Sequence, residues 1–298
     1  MAVPPPLQED ATRNLWDTGF LQKRPGPTGP GRARKTPRYK RATPPVAAGR
    51  PRATDAVVGV TIWRLRPSAA PDESTARLLV HEPGTDLDEA KSWTPERVDV
   101  GTVLEAGQRV RLSVEAPRAG FLYVIDREKY QDGSHSTPRL IFPTLRTRGG
   151  DNAVSAGSVV EVPAQRDNPI FFTLERSRPD HVAELITIIV APKKLEGVTI
   201  GNSPVELARG QVADWEARWG AGVERITLEG GVGQAYTPAE KTAGADPGAQ
   251  LTQDDPLPQT IYRVAVKPGD SILVTVPLPI GGKGRPRSAR SARSASMD

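Results

Sequence analysis

RVRLSVEAPRAGFLYVIDRE, residues 109–128, followed by RLIFP at 139–143, decides the fold. Val110, Leu112 and Val114 alternate with Arg109, Arg111, Ser113 and Glu115. That period of two marks a strand with one buried and one wet face. Residues 121–125 are apolar at every position, which predicts a strand covered on both sides. Ala116-Pro117-Arg118-Ala119-Gly120 lies between them and reads as a turn, so the two strands are expected to form a hairpin.

Working outward, short apolar or alternating runs recur at 57–65, 78–81, 93–100, 140–142, 159–162, 170–174 and 185–190. Strands at this spacing predict an all-β sandwich rather than a βαβ fold. Beyond Pro192 come short strands at 198–200 and 226–228, then 261–266 and 272–276 around Lys267-Pro268-Gly269-Asp270, expected as a second hairpin. Val212, Trp215 and Trp219 fall at helical spacing with Gly220 as the stop, and the two tryptophans are expected to pack that helix on a sheet. Thr237-Pro238-Ala239-Glu240 has capping-box chemistry and starts a second short helix. Residues 193–280 read as part of one body spanning 55–280, because their strands would be marginal alone.

Charge divides the 298 residues into three parts. Residues 1–54 hold 11 Lys and Arg against 3 acidic groups, and residues 282–298 hold 5 against 1. The overall +5 therefore hides an acidic body between basic ends. Residues 1–54 and 281–298 read as disordered arms: proline, glycine and basic residues without apolar periodicity bury too little to offset ordering entropy. The second arm carries the low-complexity run RSARSARSAS at 287–296. In the first, Arg32, Arg34, Lys35, Arg38, Lys40 and Arg41 cluster as a candidate anion contact, by counterion release on any polyanion. Trp16 and Phe20 form an apolar island that is a candidate docking motif.

The chain has no cysteine, which excludes disulfides, thiolate metal sites and cysteine nucleophiles. No apolar run approaches the ~20 residues of a membrane-spanning helix. His81, His135 and His181 lie far apart in loop-like contexts, with no ligand spacing. Neither a Gly-x-Ser-x-Gly elbow nor a Walker sequence is present, and EGGVGQAY lacks the third small residue and βαβ setting of a dinucleotide loop. Asp126, Glu128 and Asp132 before Gly133 superficially suit Ca²⁺, but Lys129 interrupts them and the stretch reads as an ordinary charged loop. No catalytic residue, cofactor or metal site is therefore expected. A loop enzyme built on Asp126, Asp151 and His135 is the weakest alternative.

Residues 108–192 resemble the bacterial DUF 4384 family, a domain of unknown function. The resemblance is carried, in order, by RVRLSVEAPRAGFLYVID, LIFPT, DNAVSAGSVVEVPAQ at 151–165 and AELITIIVAP at 183–192. It implies an immunoglobulin-like β-sandwich in envelope or secreted proteins and a recognition or scaffolding role, and it supplies no catalytic residues. The N-terminus MAVPPPLQED has neither a charged nor an apolar signal region. The expectation is an extracytoplasmic protein whose signal is missing from this sequence, acting as a non-enzymatic recognition or scaffold module on a protein partner or envelope polyanion. Sequence-specific nucleic-acid binding is not expected. The alternative is a cytoplasmic polyanion-binding or signalling-accessory protein working through its basic tails.

Overall fold

The computed structural model describes residues 21–26, 39–41, 55–80, 91–220 and 222–281. Two sheets face each other across a core of Val, Leu and Ile, so the all-β sandwich reading holds. The first sheet orders β1 (Tyr39–Arg41), β14 (Val223–Leu228), β15 (Thr260–Ala265), β2 (Asp55–Pro67), β4 (Lys91–Val98) and β3 (Leu78–Val80). Along the other edge of β2 runs β6 (Arg109–Glu115), which carries β10 (Val159–Val162) and β11 (Phe172–Thr173). The second sheet orders β13 (Val205–Glu206), β8 (Arg139–Phe142), β7 (Gly120–Tyr130), β12 (His181–Ala191), β16 (Ile272–Gly281) and β5 (Leu104–Glu105). β9 (Ala153–Val154) pairs with the start of β7.

β2 is the spine of the first sheet. Its first half pairs with β15 and its second half with β4, while β6 follows the opposite edge. Val58, Val60 and Ile62 point into the core, and Trp63, 1 % exposed, is covered on the other face. Burial on both faces explains why this strand reads as a nearly continuous apolar run.

Both expected hairpins are corrected. β6 belongs to the first sheet and β7 to the second, and β15 and β16 are divided the same way. Each intervening turn arches across the core instead of closing a ladder. Pro117 offers no N–H, and the arch is fastened to the neighbouring loop: Ala116 N donates to Ser158 O (3.0 Å) and Gly157 N to Ala116 O (2.8 Å). Gly120 is needed where β7 begins, because a Cβ there would lie 2.4 Å from Ala191 O.

Among the described residues two α-helices cover outer faces. α1 (Arg209–Trp219) packs Trp215 and Trp219 on the second sheet beside Tyr123, Ile125 and Leu273, and Gly220 ends it. α2 (Pro238–Ala245) begins with the expected capping box between Thr237 and Glu240 and lies against the first sheet. Residues 198–200 form no strand; the short strand in this region is β13.

The N-terminal arm is not structureless throughout. Leu21–Lys23 makes a 3-10 turn, Arg24 is 2 % exposed, and β1 adds Tyr39–Arg41 to the edge of β14. Lys40 and Arg41 thus lie on an edge strand. Trp16, Phe20, Arg32, Arg34, Lys35, Arg38, His81 and residues 282–298 lie outside the described residues. Among the described residues no helix is long and apolar enough to cross a membrane.

Candidate functional site

The inner face of β7 starts as hydrocarbon and ends as acid. Leu122 and Val124 enter the core, and the same period of two brings Asp126 and Glu128 inward behind them. β12 mirrors it: Val190, Ile188 and Ile186 are core, and Glu184 is next on that face. The register sets Asp126 opposite Ile186 and Glu128 opposite Glu184. Three carboxyls therefore meet on adjacent strands, an arrangement that like-charge repulsion disfavours.

Their surroundings differ. Glu128 is satisfied, accepting from Tyr130 Oη (2.8 Å) and from Ser177 Oγ. Asp126 and Glu184 hydrogen-bond to each other. Glu184 is 9 % exposed; Asp126 is half-buried as a residue, but its Oδ1 is enclosed. The Asp126 carboxyl also accepts from the Arg127 backbone N–H; apart from the mutual bond, the enclosed Asp126 Oδ1 and Glu184 Oε2 have no hydrogen-bond partner among the described residues. Burial is the main cause that raises both above the usual carboxylate range, Glu184 further than Asp126; the charges of Asp126 and Glu128 push Glu184 up as well, while the bond to Glu184 draws Asp126 part of the way back. One proton held between the two is the natural state of such a pair.

The pair lines a cleft of about 130 Å³ between the sheets. Ile62, Leu112, Leu174 and Leu278 form apolar walls, and Ile141, Phe172 and Thr173, all partly or fully exposed, form the mouth. Two β-bulges flank it. Ile141 is the extra residue where β8 slips against β7, and Val182 is the extra residue where β12 does. Bulges bend strands and re-aim side chains, and here they stand on either side of the acid pair. Beside it, His181 opens β12 fully buried, with Nε2 3.0 Å from Ala183 O and 3.7 Å from Glu184 Oε1. It is not the loop residue its sequence context suggested.

A second group of buried charges lies on the outer face of the first sheet, and there every carboxylate meets an arginine. Arg24 grips Glu115 with two bonds of 2.8 and 2.7 Å and donates to the carbonyls of Thr252, Asp255 and Pro256. Arg97 binds Glu240 of α2 and Leu257 O. Arg111 Nη2 binds Glu161 Oε2 at 2.6 Å, and both side chains are fully buried. Burial pushes Glu161 up to about 7 against the pull of that guanidinium. A Cβ on Gly244 would lie 2.1 Å from Glu161 Cδ, so only glycine lets α2 close over the pair. Nearby, the Arg109 guanidinium sits 4.2 Å from the Trp93 ring and 4.5 Å from Phe171.

The residues read from sequence separate as follows. DREKYQDG is not one loop: Asp126 and Glu128 are in β7, while Asp132 accepts from Ser134 N and Oγ in the turn beyond. Asp126, Asp151 and His135 keep different company: Asp151 accepts from Ala153 N, and the His135 carbonyl accepts from Arg209. The trio makes no joint site. Glu184 is the residue that sequence reading missed. Its one signal is a lone acid at the start of a strand otherwise buried on both faces. Among the described residues no group of three or more His, Asp or Glu is arranged to hold a metal ion. No family model, curated protein or solved structure matches this chain.

Proposed function

We propose that this chain is a non-enzymatic recognition module of the cell envelope that receives one side chain of a partner protein in the cleft between its sheets. The observation that carries the reading is the acid pair enclosed at the end of an apolar cleft, open at Ile141, Phe172 and Thr173. Sites for drug-sized ligands run to roughly 300–1,000 Å³. A cleft of about 130 Å³ suits a single protruding group instead. Envelope placement draws on the resemblance of residues 108–192 alone. The test is a photo-crosslinking side chain placed at exposed Thr173 in the native cell, with the same group at exposed Val232 as reference. A discrete envelope-protein adduct at 173 only supports the module. Identical patterns at both positions, or hydrolase turnover that survives repurification, overturn it.

The second reading, a cytoplasmic polyanion binder, rests on the basic segment at 32–41, whose Lys40 and Arg41 lie on edge strand β1. It requires salt-sensitive binding to heparin or nucleic acid that disappears when Arg32, Arg34, Lys35 and Arg38 are replaced by Gln. Unchanged binding removes it.

A further inference from the structure

We infer that the side chain the cleft receives is a lysine, its ammonium seated on Asp126 and Glu184. The inference deepens the recognition reading and rests on it. The argument begins with the atoms that lack donors. Asp126 Oδ1 and Glu184 Oε2 are enclosed acceptors with no donor from any described residue outside the pair. An enclosed acceptor without a donor costs roughly 1–3 kcal/mol, and more for a charged one. A protein that holds two side by side has left room for a donor to arrive.

Charge selects the donor. The pair sharing one proton carries a single negative charge, and a monocation neutralises it. Glu128 adds a second carboxylate close by, but its oxygen is already engaged by Tyr130 and Ser177. Arg139, across from Asp126 on β8, attracts it by charge, but is exposed and turned to Glu206 at 3.3 Å. His181 reaches Ala183 O. From the first sheet, Ile62, Val110, Leu112 and Phe172 are apolar, and Arg111, which also lines the cleft, turns its guanidinium to Glu161 and the Pro163 carbonyl. No described cation therefore fills the place that Arg24, Arg97 and Arg111 fill on the outer face.

Shape selects lysine among the cations. Its four-carbon stem is apolar and matches the aliphatic walls, and its compact head donates three hydrogen bonds in any direction. The two acceptors belong to different carboxyls, which suits a point-like ammonium better than the planar fork of a guanidinium, built for two oxygens of one carboxylate. The volume agrees: an engineered cavity of ~150 Å³ accepts benzene, a body close to a butylammonium in size.

The probe is n-butylammonium, with 1-butanol and butylguanidinium as comparators, titrated into the full chain while amide resonances of residues 126, 184 and 186 are followed. Butylammonium should shift them saturably, with the other two at least tenfold weaker. Asp126→Asn should weaken butylammonium at least tenfold, and Thr173→Trp should block the mouth without touching the acids. Binding should also weaken as falling pH protonates Asp126. Equal binding of butanol would mean an apolar cavity only and would overturn the inference, as would no binding at all. If a Thr173 crosslink survives while butylammonium fails, recognition stands and the lysine assignment falls. Loss of both removes both.

Discussion

The outer face of the first sheet and the cleft between the sheets bury the same chemical group in opposite ways. On the outer face Glu115, Glu161 and Glu240 each meet an arginine that reaches them from another element or strand. In the cleft Asp126 and Glu184 meet each other. A buried carboxylate with a fixed cation is closed to newcomers and serves to tie pieces together: Arg24 fastens the 21–26 segment, and Arg97 fastens α2. A buried carboxyl pair without one must hold a proton, and a proton is exchangeable. Charge satisfaction thus separates carboxylates tied to a fixed cation from a pair held by a shared proton.

The largest test breaks the closed side. Arg111→Met leaves Glu161 buried without its cation and should lower unfolding free energy by about 3–5 kcal/mol in denaturant titration. Arg111→Met with Glu161→Leu should recover most of that, because the pair is then removed whole. A double variant no better than the single would show that the pair does more than compensate itself.

The next test acts on the open side and has the opposite sign. Asp126 and Glu184 bind protons more tightly in the folded chain than in the unfolded one. Their contribution is therefore fully present below the ordinary carboxylate pKa of about 4 and is lost as pH rises through the raised folded values. Glu184→Gln removes this term while its amide still donates to Asp126. Above neutral pH the variant should be more stable than the parent by roughly 1–3 kcal/mol, the usual size of a single-site effect, and its stability should depend less on pH. A parent whose stability rises between weakly acidic and weakly alkaline solution, with no flattening in the variant, would contradict the shared proton.

The smallest effect falls on the fastening of α2. Glu240 serves twice: Oε2 accepts from Thr237 N at 3.0 Å, and Oε1 meets Arg97. Thr237→Ala removes the hydroxyl of the capping box and should lower stability by about 1 kcal/mol. Faster amide exchange confined to residues 238–245 would place that loss at the helix start.

Strands and helices were legible because they are local. Alternation at 109–115, the apolar block at 121–125, the tryptophan spacing and the Thr237–Glu240 box each lie within one turn or one strand. The two hairpins failed for an equally local reason. Ala116-Pro117-Arg118-Ala119 and Lys267-Pro268-Gly269-Asp270 have turn composition, but both sheets offer an apolar inner face, so the turn does not tell which sheet receives the next strand. Asp126 drew notice only as a loop residue. Joining it to Glu184 needed the register of β7 on β12, which no single stretch contains. Arg24 was hidden among prolines, glycines and other basic residues, and nothing in its neighbours announces its partner Glu115, 91 positions away.

The pairing of an early strand with a late one also sets an order of events during synthesis. β2 waits for β15 to complete its first half, and Gln259 N donates to Thr61 Oγ1 from 198 positions later in the chain. A ribosome making this protein from its N-terminus thus releases β2, β4 and β6 with an open, apolar edge until nearly the whole body has emerged. Contacts this distant in sequence form slowly. A ribosome stalled before residue 260 would consequently release a product whose unpaired edge is prone to pair with its neighbours.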